Sequence, residues 1–150
     1  MPRILCLDYG ERRTGVALSD ETKTIAQSLT TINHKSDEEL IAAISRLAQQ
    51  HEVDLIVIGL PLSLSGKPST RSEKIRRFAS RLAKTLHLPV ELFDERLSTR
   101  YAERVYAEVH GRNFRPDASL PIDHIAATII LEDYLELLKR GRKQATAPEL

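Results

Sequence analysis

The segment DLIVIGLPL, residues 54–62, constrains the fold more than any other stretch of the chain. Its central residues are apolar at consecutive positions, so a strand built from them has to be covered on both faces. Such a strand is typical of the centre of a parallel sheet, and Gly59 and Pro61 indicate where it gives way to the polar loop SLSGKPST. The sequence therefore predicts an α/β protein with helices on both sides of a sheet.

The segments on either side predict the order of the other elements. RILCLDYG, TGVALSD and TIAQSLTTI predict three strands, mostly joined as hairpins, and EELIAAISRLAQQH predicts an amphipathic helix capped by Asp37. A second helix is expected to begin near Ser69 or Thr70, and LPVELFDE predicts a fifth strand. Two more helices are expected, one from Ser98 and one with Pro121 in its first turn. The order βββαβαβαα favours a mixed sheet.

Length and composition limit the class of protein. The 150 residues suit one domain, predicted at 1–140, with a disordered tail at 141–150. No apolar run approaches the roughly 18 residues that a bilayer span needs, so no membrane partner is expected. The N-terminus has too short an apolar run for a signal peptide, which predicts a cytoplasmic protein. Cys6, the single cysteine, lies in an apolar run and is expected to be buried.

Charge is distributed unevenly along the chain. The net charge of +1 indicates little, but residues 67–84 hold seven basic residues against Glu73, a local charge of +6. A basic face is the pattern expected of a protein that binds the phosphate backbone of nucleic acid. A solvated helix face is an equally good interpretation of the same pattern.

Three carboxylates are predicted to meet at one edge of the sheet. Asp8 ends the first strand, Glu95 follows the fifth, and Asp123 lies in the first turn of the last helix. Each has a simpler interpretation. Asp8 could only organise a turn, Glu95 could pair with Arg96, and Asp123 could only be a favourable charge at a helix N-terminus. If the fourth strand lies between the first and the fifth, Asp8 and Glu95 share an edge, and converging carboxylates are usually compensated by a divalent cation. Oxygen ligands favour Mg²⁺ or Mn²⁺ over zinc.

Four motifs, LDYGERRTGVALSD, IVIGLPLSLSG, FDERLST and IDHIAATIILEDYL, resemble in order and spacing the YqgF/RuvX family of ribonuclease H-like proteins. Members of that family are described as Holliday junction resolvases or pre-16S rRNA nucleases. The resemblance implies a ribonuclease H-like fold with a five-stranded sheet in the order 3-2-1-4-5, its second strand antiparallel, flanked by helices. It also implies that Asp8, Glu95 and Asp123 are catalytic metal ligands. One departure lies before Asp123, where GRNFRPDASLP is less basic than in relatives.

The resemblance implies a two-metal nuclease acting on structured nucleic acid, in which Asp8 bridges two Mg²⁺ or Mn²⁺ ions and Glu95 and Asp123 each complete one side. The preferred substrate is pre-16S rRNA, processed at its 5′ end in ribosome biogenesis, and branched DNA is the alternative. A junction resolvase needs two active sites in a symmetric pair, so a homodimer also remains open. Phosphate contacts are predicted for basic residues near the same edge: Arg12, Arg96, Lys67 and Arg71.

Two other classes of protein remain open. The Asp-x-Gly hairpin also begins the actin-like ATPase fold, although that class needs two such domains and the chain predicts one. A non-catalytic RNA- or ribosome-associated factor could use the same fold, because a fold alone does not establish chemistry. The three acids favour the nuclease over the non-catalytic factor.

Overall fold

A computed structural model describes residues 2–61, 69–94 and 122–146, and in the last range the side chains of 125–141. The predicted helix from Ser98 lies outside these residues, as does Pro121. The described chain forms five strands and three helices, in the order β1 (Arg3–Asp8), β2 (Arg13–Ser19), β3 (Ala26–Asn33), α1 (Asp37–Gln50), β4 (Val53–Leu60), α2 (Thr70–Leu86), β5 (Val90–Asp94) and α3 (Ile122–Thr146).

The five strands form one mixed sheet in the order β3-β2-β1-β4-β5. β2 is antiparallel to both of its neighbours, β1 and β3, whereas β1, β4 and β5 run parallel. The predicted strand order and the antiparallel second strand are confirmed. β4 lies between the parallel strands β1 and β5 and is buried on both faces, as its continuous apolar run predicts.

Helices cover both faces of the sheet and enclose two apolar cores. α1 and α2 lie on the face that carries Leu5, Leu7, Ile56 and Ile58. α3 packs across β1, β2 and β3 on the opposite face, against Ile4, Cys6 and Val57 among others. Alternate residues of each strand therefore enter different cores, as the period of two along a strand requires. Cys6 is fully buried, as predicted.

Serine residues cap the first two helices. The Ser69 side chain accepts from the backbone N–H of Ser72 at 3.1 Å, so α2 begins where the sequence predicts. The predicted cap of α1 is wrong by one residue, because Ser36 and not Asp37 accepts from the N–H of Glu39, at 3.2 Å. Asp37 is instead the first helical residue, where a carboxylate is favoured by the helix dipole.

Helix α3 continues to Thr146, six residues into the segment 141–150 that the sequence predicts as a disordered tail. Arginine, lysine, glutamine and alanine at 142–145 are good helix formers and explain the continuation past Gly141. Residues 147–150 lie outside the described residues, and the single-domain boundary stays a prediction. None of the helices in the described ranges is both long enough and apolar enough to span a membrane.

Candidate active site

The carboxyl ends of β1, β4 and β5 form the edge at which the site is predicted. Leu7 of β1 pairs with Ile58 of β4, and Leu60 of β4 pairs with Asp94 of β5. Asp8 is therefore within one residue of register with Asp94, with β4 between them. The carboxyl edge of parallel strands is where ligands gather in open α/β sheets.

Asp8 and Tyr9 lie on opposite faces of the sheet. Ile4 and Cys6 precede Asp8 on the face covered by α3, whereas Leu5 and Leu7 precede Tyr9 in the core beneath α1 and α2. Asp8 is half-buried. The chain thus presents a carboxylate on the α3 side of the edge and anchors the next residue on the other side.

Of the three predicted acids, Asp8 lies where the sequence places it. Glu95 follows the last residue of β5 and lies outside the described residues. Asp123 lies in the first turn of α3, but its side chain is outside the described part of the chain. The described residues contain no group of three metal-binding side chains. A carboxylate such as Asp8 fits the hard cations Mg²⁺ and Mn²⁺, so the donor present suits the predicted metal.

The loop between β1 and β2, residues 9–12, follows Asp8 directly, and α2 holds it. Arg71 Nη2 donates to the carbonyl oxygen of Tyr9 at 3.4 Å, and Lys74 Nζ lies 2.6 Å from Glu11 Oε1. The hydrogen bond from Lys74 holds the pKa of the Glu11 carboxyl below its ordinary value. The loop and the start of α2 enclose a cavity of about 340 Å³, lined by Tyr9, Gly10, Glu11, Thr70, Arg71 and Lys74.

Tyr9 anchors the loop on the face opposite Asp8. Its hydroxyl donates to Asp37 Oδ1 at 2.8 Å, and its ring packs on Phe78, with 4.6 Å between the ring centroids. Burial, together with the hydrogen bond to Asp37, raises the pKa of Tyr9 to about 12. The hydroxyl is therefore a donor at any physiological pH, and α1 as well as α2 fixes the residue after Asp8.

A third set of contacts ties the loop to the β2–β3 hairpin. The Gly10 N–H donates to Thr14 Oγ1 at 3.3 Å, and the same oxygen lies 2.9 Å from Nε2 of His34, a residue that is only 4% exposed. The His34 N–H donates to the Arg12 carbonyl oxygen at 2.9 Å. A Cβ at Gly10 would lie 2.2 Å from the Arg13 carbonyl oxygen. Gly10 is therefore required by a close backbone approach.

The predicted phosphate-binding residues fall into two groups. Arg71 reaches the cavity beside the loop, although one of its nitrogens bonds to the backbone of Tyr9. Arg12 is exposed on the loop itself. Lys67 and Arg96 lie outside the described residues. The structure thus brings Arg12 and Arg71 to the loop that follows Asp8.

Sequence reasoning missed the residues that hold this loop. The alternation of Leu5 and Leu7 could have placed Tyr9 in the core, because residues two apart share a face of a strand. Nothing in the sequence pairs Tyr9 with Asp37, or Lys74 with Glu11, since these contacts depend on how the helices pack. His34 carried no signal beyond its position at the end of a strand.

Comparison with solved structures establishes the class of fold. The chain is similar to T. thermophilus RuvC in complex with Holliday junction substrate, with a TM-score of 0.63, 12% identity, and coverage of 94% of this chain and 97% of that one. It is also similar to the fowlpox virus Holliday junction resolvase, with a TM-score of 0.50, 15% identity, and coverage of 90% and 99%. The fold is ribonuclease H-like, as the sequence predicts.

Comparison with protein families shows which family within this fold the chain belongs to. The family model RuvX, described as Holliday junction resolvase, matches residues 2–137, and the chain belongs to this family. A Chloroflexus aurantiacus protein named "Putative pre-16S rRNA nuclease" is 46% identical over 133 residues, which cover 89% of this chain and 86% of that protein. A Caldanaerobacter subterraneus protein of the same name is 41% identical over 139 residues, covering 93% and 99%.

Proposed function

We propose that this chain is a divalent-metal-dependent nuclease that acts on structured nucleic acid in the cytoplasm. The observation that carries the proposal is the position of Asp8, at the carboxyl edge of three parallel strands and beside a loop held from three sides. The family and the names of the relatives support a nuclease, and those names favour pre-16S rRNA as the substrate. Cutting at the 5′ end of that RNA is part of the proposal.

We propose that two Mg²⁺ or Mn²⁺ ions are bound by three carboxylates, those of Asp8, Glu95 and Asp123. When bound, such ions activate water and stabilise charge at the reacting phosphate. The acids act in this scheme as ligands and not as proton acceptors. β5 ends, one residue before Glu95 in the sequence, at the edge that Asp8 shares, and Asp123 lies in the first turn of the helix that covers the face of Asp8, which supports the assignment.

Basic residues near the loop are proposed to hold the phosphates of the substrate. Arg12 is exposed and Arg71 lines the cavity beside the loop, so both can reach a strand that enters the edge. Lys67 and Arg96 are assigned the same role from the sequence. Guanidinium groups suit this task because they donate two parallel hydrogen bonds to phosphate oxygens.

Branched DNA is the second candidate substrate. The description of the matching family favours it. A resolvase has to cut two opposed strands, so this alternative requires a symmetric pair of chains, whereas trimming of an RNA end does not.

Cleavage of a labelled pre-16S rRNA fragment and a four-way DNA junction in parallel tests the proposal. Each reaction is run with Mg²⁺, Mn²⁺ or EDTA, using the wild type and Asp8→Asn. We expect the RNA fragment to be cut near the mature 5′ end by the wild type alone, and only with metal. If only the junction is cut, branched DNA replaces RNA as the proposed substrate. Binding of both without cutting would indicate a non-catalytic factor and contradict the proposal.

A further inference from the structure

We propose that an exposed ridge of α2, formed by Lys74, Arg77, Arg81 and Lys84, binds the sugar–phosphate backbone of the substrate beyond the bond that is cut. The inference rests on the proposed function and extends the site from the loop after Asp8 along a helix. It concerns residues other than the phosphate contacts assigned above.

The four side chains form one continuous ridge. Their spacing of three, four and three residues places them on a single stripe of the helix. The buried stripe of α2, with Ile75, Phe78, Ala79 and Leu82, faces the sheet, and the four basic residues are exposed. At 1.5 Å of rise per residue the ridge is about 15 Å long, which corresponds to roughly four phosphates along one strand of a duplex.

The ridge borders a groove that leads to the predicted catalytic edge. Three of its members, Lys74, Arg77 and Arg81, line a space of about 450 Å³ between α2 and the start of α1, with Lys35 on the opposite side. This space shares Tyr9, Glu11 and Lys74 with the cavity of about 340 Å³ beside the loop. Asp8 lies on the other side of this edge, so a strand bound at Asp8 would cross the loop to enter the groove.

Two acids, Glu11 and Asp37, line this groove, and a third, Glu38, pairs with Arg81. Lys74 pairs with Glu11, whose side chain is 75% exposed, and Arg81 Nη2 lies 2.6 Å from Oε1 of Glu38, which is 72% exposed. Arg81 Nη1 also lies 3.7 Å from Asp37 Oδ2. Exposed pairs of this kind contribute little to stability, so a phosphate can compete for either cation.

The remaining two members of the ridge differ from Lys74 and Arg81, although Glu73 lies one helical turn before Arg77 and lines a surface space with it. Within the described ranges, neither Arg77 nor Lys84 makes a side-chain hydrogen bond or salt bridge. Glu73 is the only acid among the seventeen residues of α2. A helix face that only has to be solvated normally mixes both signs of charge, so six basic residues against one acid in α2 favour an anionic partner beside the groove.

Salt dependence of binding tests the ridge. Asp8→Asn, which is expected to bind without cutting, serves as the background, and the probes are a labelled RNA hairpin with a 5′ extension and a labelled four-way DNA junction. The test variant is Arg77→Gln/Lys84→Gln. The matched control is Arg46→Gln/Lys139→Gln, which removes one exposed arginine and one exposed lysine elsewhere. Kd is measured by fluorescence anisotropy from 50 to 200 mM KCl.

Loss of two phosphate contacts should lower the slope of log Kd against log salt by about 1.4 to 1.8. We expect this change in the test variant, an unchanged slope in the control, and restoration of the slope in Arg77→Lys/Lys84→Arg. An unchanged slope in the test variant, or an equally lowered slope in the control, would overturn the proposal that the ridge binds the substrate backbone. Cleavage by the wild type is measured separately. If the slope falls in the test variant but the wild type cuts neither probe, the result supports binding by the ridge and rejects only the proposed nuclease activity.

Discussion

Two turns at opposite ends of β2 are held together in different ways. The turn at 20–25 joins β2 to β3 and is closed mainly by its own hydrogen bonds. The loop at 9–12 joins β1 to β2 beside Asp8 and is closed mainly by side chains from distant parts of the chain.

Asp20 organises the turn at 20–25. Its carboxylate accepts from the backbone N–H groups of Thr24, at 2.8 Å, and Ile25, at 2.9 Å, and from the hydroxyl of Thr22. The bond from Thr22 is the largest cause that holds the pKa of Asp20 well below its ordinary value. The Lys23–Asp54 ion pair adds to a turn that is already closed. Such a turn keeps its shape whatever the packing of the helices.

The loop at 9–12 instead depends on α1, α2 and the β2–β3 hairpin. Tyr9 bonds to Asp37, Arg71 to the Tyr9 carbonyl, and Thr14 lies between Gly10 and His34. The conformation of this loop therefore depends on how the helices and the hairpin pack around it. A loop that has to present one carboxylate in one position benefits from such support, because the side chains of a site need to be held rigidly.

Gly10→Ala should have the largest effect of the loop variants. The new Cβ would lie 2.2 Å from the Arg13 carbonyl oxygen, so the backbone has to move. We expect a loss of roughly 1–3 kcal/mol in the free energy of unfolding, measured with urea, and a severe loss of cleavage. Gly141→Ala is the control, because nothing lies within 4 Å of its added Cβ. Equal stability of the two variants would show that the loop is not tightly packed.

Tyr9→Phe should have a smaller effect. The change removes the hydrogen bond to Asp37 but keeps the contact with Phe78, so we expect a loss of about 1 kcal/mol in stability. We also expect cleavage to fall by about tenfold, as for groups that orient a metal ligand indirectly. Tyr134→Phe is the matched control, since Tyr134 donates to Glu91 on the other face of the sheet. A similar fall in cleavage in both variants would reject the positioning role of Tyr9.

The raised pKa of Tyr9 predicts a window of pH in which its contribution is lost. The pKa rises from 10.0 to about 12 on folding, so the folded state favours the protonated hydroxyl. The stabilisation is complete below pH 10 and disappears as the pH rises towards 12. Urea unfolding should therefore show wild type and Tyr9→Phe becoming closer in stability above pH 10. A constant difference up to pH 11.5 would contradict this role of the hydroxyl.

Asp20→Asn should have the smallest effect on cleavage. The loss of charge weakens the bonds within the turn and lowers the melting temperature slightly, but the turn is separated from the predicted catalytic edge by the length of β2. We expect cleavage at the rate of the wild type. A fall in cleavage comparable to that of Tyr9→Phe would show that the two turns do not differ in the way described.

The sequence predicts most of the architecture because hydrophobic pattern controls it. The continuous apolar run of β4 predicts a central strand of a parallel sheet, and the apolar stretches of β1 and β2, separated by a glycine-containing turn, predict a hairpin. Ser69 predicts the start of α2 because capping is a local interaction. These features depend on residues that are near one another in the chain.

The support of the candidate site could not be predicted in the same way. Tyr9 and Asp37 are 28 residues apart, and Arg71 and Tyr9 are 62 apart, so their contacts follow from the docking of helices on the sheet. The position of Asp8 could be predicted because it requires only strand order. Glu95 and the side chain of Asp123 lie outside the described residues, and their roles as ligands stay predictions.

Binding of Mn²⁺ tests most directly whether Asp8 belongs to a metal site. Isothermal titration calorimetry would compare the wild type, Asp8→Asn and Asp20→Asn, with circular dichroism to confirm folding. Each variant replaces one carboxylate beside a turn of β2 with a neutral side chain of the same shape. We expect Asp20→Asn to bind Mn²⁺ like the wild type and Asp8→Asn to lose binding while remaining folded. Binding of wild-type strength in folded Asp8→Asn would contradict the proposed metal centre.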